Sequence, residues 1–343
     1  MGTDNPMSEK VLILGAGSWG CALANLLAEK GVSVRLWEID PDEAQRLERD
    51  RTLPGKLEDF SLAKEVEVGS DLSPLSADAT ALVFVVPCRF FRSSARKVKE
   101  ALGSKPVPEI LVTCSKGLEN GTLAPMTRIL TEELGIEAPV ALSGPSHAEE
   151  VALGLPTTVV AASKSEANAA RVQALFLTPT FRVYTASDVL GVELGAALKN
   201  VLAIACGAAA GLGLGDNTMA ALVTRGLAEL TRLGVAMGAD PLTFAGLSGI
   251  GDLIVTCASR HSRNRRLGLA LAEGLTLDQA LDRIGMAVEG VDTARTVAAL
   301  QEKYGVEMPI AMQVAQTLFE GVPVQEAVSS LMLRDPKPER DFD

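Results

Sequence analysis

The stretch Lys10-Val11-Leu12-Ile13-Leu14-Gly15-Ala16-Gly17-Ser18-Trp19-Gly20 constrains this chain most, because a short apolar run ends in three glycines at G-x-G-x-x-G spacing and gives way to helix-forming residues. It reads as strand, turn, helix. Gly15 suits a tight turn, Gly17 leaves backbone N–H groups open to a diphosphate, and Gly20 lets the helix lie close on the sheet. The helix N-terminus adds unpaired N–H groups and a partial positive charge. The glycine spacing alone fits an ordinary loop equally well, and its context decides for a dinucleotide. Ala22, Leu23, Leu26 and Leu27 recur at helical spacing up to Gly31, and a second strand, Val32 to Trp37, follows. Glu38 then stands about 20 residues past the glycines, where such folds place the acid that holds an adenosine ribose.

Downstream, strands alternate with helices. Asp40-Pro41-Asp42 opens a charged helix through Leu47, Val66 to Val68 is a short strand, and Ala81 to Val86 is a continuous apolar run ended by Pro87. Runs of that kind are buried on both faces of a parallel sheet. A helix from Phe91 to Leu102 leads to the strand Ile110 to Cys114, which stops at Ser115-Lys116-Gly117, and Val140 to Leu142 stops at Ser143-Gly144-Pro145-Ser146. Small and polar residues at the carboxyl ends of strands mark the ligand side of a doubly wound sheet. Thr157 to Ala162 and Phe181 to Tyr184 extend the sheet around a helix near Ala167 to Phe176. From Ser187 to about Leu333 the β-rich runs vanish. The fold class is therefore α/β: an N-terminal Rossmann domain with a mostly parallel sheet, residues 8–187, then an all-helical substrate and dimerisation domain, 188–335.

A formal net charge of −11 argues against a nucleic-acid partner and against an anionic membrane surface, so an anionic substrate needs a local basic pocket. The five cysteines, at 21, 88, 114, 206 and 257, show no C-x-x-C and no metal-ligand spacing, which fits reduced thiols in a cytoplasmic protein and disfavours a zinc dehydrogenase. Met1 to Lys10 has no apolar run, and the myristoylation pattern fails at Pro6. Asn200 to Gly215, the longest uncharged stretch, is too short and too rich in Gly and Ala to span a membrane. The charged tail from Asp335 to Asp343 is expected to be loose.

Lys199 interrupts an almost wholly apolar helix, Val189 to Ala210. A lysine there snorkels out, pairs with a carboxylate, or loses its proton near neutral pH, and the last makes it an acid/base catalyst for a hydroxyl losing hydride. Arg260, Arg263, Arg265 and Arg266 crowd around Ser262 and Asn264, either as a solvated basic face or as donors for a phosphate. Asp252, in Gly249-Ile250-Gly251-Asp252, sits in an apolar surround where it could orient a lysine, accept a substrate hydroxyl or cap a helix. With two histidines in the chain, His147 and His261, and no Tyr-x-x-x-Lys pair, lysine is the base left standing.

With these residues in view the chain resembles the bacterial NAD(P)-dependent glycerol-3-phosphate dehydrogenases. The resemblance covers nearly the whole length through GAGSWG at 15–20, CSKGLE at 114–119, SGPSHAEE at 143–150, FRVY at 181–184, LKN at 198–200, GIGDL at 249–253, HSRNRRLG at 261–268 and VEG at 288–290. It implies a homodimer that reduces dihydroxyacetone phosphate to sn-glycerol 3-phosphate for phospholipid synthesis. It also implies cofactor contacts at Ser18, Trp19, Lys116, Ala148, Arg263, Ala287 and Glu289, beside Gly15, Gly17, Gly20 and Glu38 of the nucleotide fold. Its substrate contacts fall on Lys116, Gly144, Ser146, Lys199, Asp252, Ser262, Arg263 and Asn264, and its proton acceptor on Lys199. A β-hydroxyacid dehydrogenase shares the two-domain plan but wants a carboxylate pocket in place of Ser262-Arg263-Asn264. A non-catalytic dinucleotide sensor needs neither Lys199 nor Asp252. Where family members commonly carry Arg, Lys or His for the 2′-phosphate of NADP, this chain has Ile39, next to Glu38. NAD is therefore the expected cofactor, with NADP the alternative.

Overall fold

Strand periodicity sets the layers. In the computed structural model, which describes residues 9–336 together with 338 and 339, β1 runs Lys10–Leu14 and is buried from Val11 onward. Val11 and Ile13 face one layer with Leu23 and Leu27 of the Ser18–Glu29 helix, while Leu12 and Leu14 face the other with Phe91, Ala95 and Val98. This alternation follows from the two-residue repeat of a strand. Residues 1–8 and 340–343, and with them the expected lack of a targeting run, the domain start at residue 8 and the end of the loose tail, lie outside the described residues.

The remaining strands are β2 Ser33–Trp37, β3 Glu67–Gly69, β4 Ala81–Phe84, β5 Ile110–Thr113, β6 Val140–Ser143, β7 Thr157–Ala162 and β8 Phe181–Ala186. They form one eight-stranded sheet in the order β3-β2-β1-β4-β5-β6-β7-β8. All neighbours are parallel except β6 and β7. The order reverses at β1 and β4, and the loops after their carboxyl ends open the crevice that such a switch point provides. Several strands depart from their expected runs: β3 is shifted one residue on from Val66–Val68, β5 stops at Thr113 rather than Cys114, and β2 and β4 are shorter than their apolar runs. Val32 uses its N–H to close the preceding helix on Leu27 O, so β2 starts one residue later. β4 ends at Phe84, although the Val85 N–H still donates to Leu14 O at 2.8 Å, and Val85 and Val86 become cavity wall on the way to Pro87, which has no N–H to give.

From Val189 on the described chain is helical. The Val189–Gly211 helix is the axis of this half, buried from Val192 to Ile204 without a break. Length and composition would let it cross a membrane, yet 89% of its apolar window is buried inside this fold, as a core helix is. The 241–258 segment passes the same test but is broken into the Pro241–Phe244 helix, a kinked turn at 247–251 and the Asp252–Ala258 helix. Glu193 ties the two halves together: its carboxylate accepts the Thr127 backbone N–H at 2.9 Å and the Thr127 hydroxyl, satisfying the start of the Met126–Leu134 helix. All five cysteines are unpaired and buried.

Candidate active site

A cavity of about 530 Å³, within the range of about 300–1,000 Å³ usual for small-molecule sites, runs from the glycine loop to the start of the Arg263–Ala272 helix. At the nucleotide end Gly15 takes φ +113°, and a Cβ there would sit 2.7 Å from Val85 O. Gly17, by contrast, has nothing within 4 Å of where its Cβ would lie. It caps the Ser18–Glu29 helix with no side-chain partner, so the first N–H groups of that helix face open space where a diphosphate fits. Gly20 is held against the Gly15 carbonyl and lies behind the wall. Glu38 and Ile39 line the far rim, and Glu38 Oε1 accepts the Asp40 N–H at 3.2 Å. Asp40, not Glu38, caps the Pro41–Asp50 helix.

At the other end the chemistry converges on Asp252, 1% exposed. Lys199 Nζ donates to its Oδ1 and, at 2.7 Å, to Thr256 Oγ1. Lys116 Nζ donates to its Oδ2 at 2.8 Å and to the Gly144 carbonyl at 3.1 Å. Lys199 therefore does not snorkel. Burial pulls its ammonium down to about 8, against the pull of the neighbouring carboxylate, while the second lysine helps to lower it. Burial alone would raise the Asp252 carboxyl, but Lys116 and Lys199 outweigh it and hold the group below its ordinary value. Asp252 is the first residue of its helix and Gly251 the cap, so the capping alternative falls away.

Of the four clustered arginines, Arg263 alone is among the residues lining this cavity. The helix that begins at Arg263 turns about 100° per residue, which carries Arg265 to its other side; Arg266 is also not among the lining residues, and Arg260 lies exposed before the helix. A basic cluster thus resolves into one cation plus neutral donors. Arg263 Nη1 donates to Ala287 O at 2.8 Å. Asn264 accepts the Gly290 N–H and donates to Asn200 Oδ1, both at 2.9 Å, which leaves its other amide hydrogen. Ser262 Oγ accepts the Arg265 N–H as a helix cap and keeps its own O–H to donate. Ser18, Trp19, Lys116, Ser146, Ala148, Lys199, Ala287 and Glu289 line the same cavity. Burial raises the Glu289 carboxyl above its ordinary value despite Arg263, Lys116 and Lys199 nearby. Gly144 and Asp252 stand behind the wall, as partners of Lys116.

Five further cavity-lining residues stand out that had not been singled out for the site. Thr256 is four residues past Asp252, on the same face of one helix, a spacing that could have identified it. Asn200 adjoins Lys199, and its amide bridges Asn264. His147 and His261 meet with ring centroids 6.0 Å apart. Lys56 reaches the nucleotide end from the loop after the Pro41–Asp50 helix, and its carbonyl accepts the Ser18 hydroxyl at 3.2 Å.

Two family models match the chain: the NAD-dependent glycerol-3-phosphate dehydrogenase N-terminus over residues 10–169 and the corresponding C-terminus over 188–329. A glycerol-3-phosphate dehydrogenase [NAD(P)+] of Pelotomaculum thermopropionicum is 49% identical over 331 residues, covering 96% of this chain and 94% of the relative. The enzyme of that name from Enterococcus faecalis is 48% identical over 339 residues, 98% of this chain and 99% of its own. The crystal structure of glycerol-3-phosphate dehydrogenase from Coxiella burnetii superimposes with a TM-score of 0.91 at 38% identity, over 96% of this chain and 100% of that one.

Proposed function

This chain belongs to the NAD-dependent glycerol-3-phosphate dehydrogenase family, NAD(P)-dependent oxidoreductases, and from that premise we propose that Lys199 is the acid/base of the reaction it catalyses. The observation that carries this reading is the pair of lysines in the cavity wall, Lys199 and Lys116, that share the buried carboxylate of Asp252 behind it. A nicotinamide held by Ala148, Ala287 and Glu289 would, when bound, supply the hydride acceptor for C2 of glycerol 3-phosphate in the oxidative direction. Neutral Lys199 takes the proton of the C2 hydroxyl as the C–H bond breaks, and the carbonyl of dihydroxyacetone phosphate forms. Asp252 holds the lysine in place and stabilises the ammonium that results, and Thr256 fixes a second of its donor directions. In the reductive direction the same ammonium returns the proton to the carbonyl oxygen.

The substrate phosphate is assigned to Arg263 with the O–H of Ser262 and the remaining amide hydrogen of Asn264, and Lys116 with Ser146 holds the triose. A dianion entering a protein of net charge −11 needs charge-assisted donors of this kind. The adenosine and diphosphate fall to Gly15, Gly17, Ser18, Trp19 and Glu38, and the nicotinamide end to Ala148, Ala287 and Glu289. Residues 8–187 then bind the dinucleotide, and 188–335 supply the acid/base and the phosphate donors. A cytoplasmic homodimer feeding phospholipid synthesis completes the reading, on the family resemblance alone.

NAD is the preferred cofactor in this reading. Glu38 can accept hydrogen bonds from a free ribose and repels a 2′-phosphate, and Ile39 offers that phosphate no donor. Lys56, on the same rim, keeps NADP admissible. Michaelis constants for NADH and NADPH at fixed dihydroxyacetone phosphate should favour NADH. Glu38→Ala with Ile39→Arg should move the preference toward NADPH, and Lys56→Ala should move it further toward NADH. A parent enzyme that prefers NADPH would overturn the assignment of Glu38.

A further inference from the structure

Two histidines meet in the wall of the active-site cavity, and the hydride and proton transfers use neither. His147 stands in the loop after β6, between Ser146 and Ala148, and begins the Ala148–Ala152 helix without a side-chain bond to it. His261 comes from the helical half, next to Ser262, and its backbone N–H donates to Ser259 Oγ at 3.1 Å. The two rings lie 6.0 Å apart between centroids at a tilt of 53°, so they join the loop of Ser146 to the loop of Ser262. Burial, and after it the charge of Lys199, hold the His147 imidazole below its ordinary pKa, while a hydrogen bond to the Val255 backbone pulls the other way. The ring is therefore neutral near pH 7. A neutral imidazole that donates through one nitrogen accepts through the other. Nε2 is buried and has no hydrogen-bond partner among the described residues, a state that costs free energy until a donor reaches it.

The substrate carries the matching group. In dihydroxyacetone phosphate the phosphate dianion and the C2 carbonyl only accept hydrogen bonds, the first from Arg263, Ser262 and Asn264 and the second from Lys199. The C1 hydroxyl is the donor that remains. We propose that His147 is a specificity-determining residue: its Nε2 accepts the C1 hydroxyl of dihydroxyacetone phosphate and of glycerol 3-phosphate, and His261, packed against the ring, holds it toward the triose. This rests on the acid/base and phosphate assignments above, because a phosphate at Arg263 and a C2 oxygen at Lys199 leave C1 to the loop of Ser146 and His147. The bond made to the hydroxyl satisfies an acceptor that is otherwise orphaned, so a substrate without that hydroxyl is rejected by more than the loss of one contact.

Hydroxyacetone phosphate, in which C1 is a methyl group, tests this through a ratio. The parent enzyme should prefer dihydroxyacetone phosphate to it about ten- to a hundred-fold in kcat/KM. His147→Phe keeps a ring and removes the acceptor: kcat/KM for dihydroxyacetone phosphate should fall about ten- to a hundred-fold, that for hydroxyacetone phosphate should stay within a few-fold, and the preference should collapse toward one. His147→Gln, whose amide oxygen can stand near the place of Nε2, should keep a measurable part of the preference. His147→Asn is too short to put an acceptor there and should repeat the loss, should the phenylalanine variant fail to fold. A purely structural role for the ring would slow both substrates alike and leave the ratio at its parent value, and that result would overturn the proposal. A parent enzyme that turns the two over equally would overturn it as well. Lys199→Ala should instead slow both substrates by one factor, so a failure of the acid/base assignment appears in that variant and leaves the ratio for His147 readable.

Discussion

Lys199→Ala should lower turnover by about 10²- to 10⁴-fold, the usual cost of removing a positioned proton donor or acceptor. The Michaelis constant for NADH should stay within a few-fold of the parent, because Lys199 lies at the end of the cavity remote from Gly17 and Glu38. Lys199→Arg should not rescue the loss: a guanidinium stays protonated throughout the working pH range and cannot accept the hydroxyl proton. Stopped-flow or steady-state NADH oxidation with dihydroxyacetone phosphate reads both variants, and circular dichroism reports whether they fold. Folding is a real concern, because the substitution leaves Asp252 buried with Lys116 as its remaining cation. A folded Lys199→Ala enzyme with activity within a few-fold of the parent would remove the lysine from the chemistry.

Arg263→Ala should raise the Michaelis constant for dihydroxyacetone phosphate roughly ten- to a hundred-fold, since a hydrogen bond to a charged group contributes about 1.5–3 kcal/mol. The direction of the effect is specific to phosphate. Unphosphorylated dihydroxyacetone should be a poor substrate for the parent and should lose little more when Arg263 is removed. Exposed Arg260, which is not among the cavity's lining residues, serves as the control: Arg260→Ala should leave both constants near the parent values. An Arg263→Ala enzyme with an unchanged constant for dihydroxyacetone phosphate would place the phosphate elsewhere.

How far the sequence carried these assignments differed with the range of the interaction. Local signals worked well. The helix Phe91–Leu102 and the strand Thr157–Ala162 stand where periodicity put them, because an apolar stripe or alternation is written into consecutive residues. Backbone bookkeeping at the ends was less legible: nothing in Val32 itself says that its N–H closes the preceding helix, and nothing in Val85 and Val86 says that they line the cavity beyond the end of β4. The fate of Lys199 was open between solvent, a partner and deprotonation, because its partner Asp252 lies 53 residues away, and Lys116, which shares that carboxylate, lies 136 residues from it. Only the fold brings those three together.

The arginine cluster was legible in part. Four cations within seven residues read either as a solvated basic face or as phosphate donors; of the four, Arg263 alone lines the cavity, and Arg260 lies exposed before the helix that Arg263 begins. Neutral donors take the other positions, with Asn264 held by Asn200 and Gly290 and Ser262 held by its own cap. Lys56 carried no signal at all, since it stands in an irregular loop between the Pro41–Asp50 helix and β3. Thr256 did carry one, the i, i+4 spacing from Asp252, and a search for hydroxyls on the face of that acid would have found it.

The pH dependence of glycerol 3-phosphate oxidation tests the central claim most directly. Lys199 must be neutral to take the hydroxyl proton, so kcat/KM should rise with pH through an apparent pKa of about 8 and level off above it, while reduction of dihydroxyacetone phosphate should fall over the same interval. Asp252 raises the lysine's pKa, so in Asp252→Asn the inflection should move to lower pH even though the maximal rate drops. A profile with no inflection near 8, or one that Asp252→Asn leaves in place, would contradict the assignment of Lys199 as the acid/base.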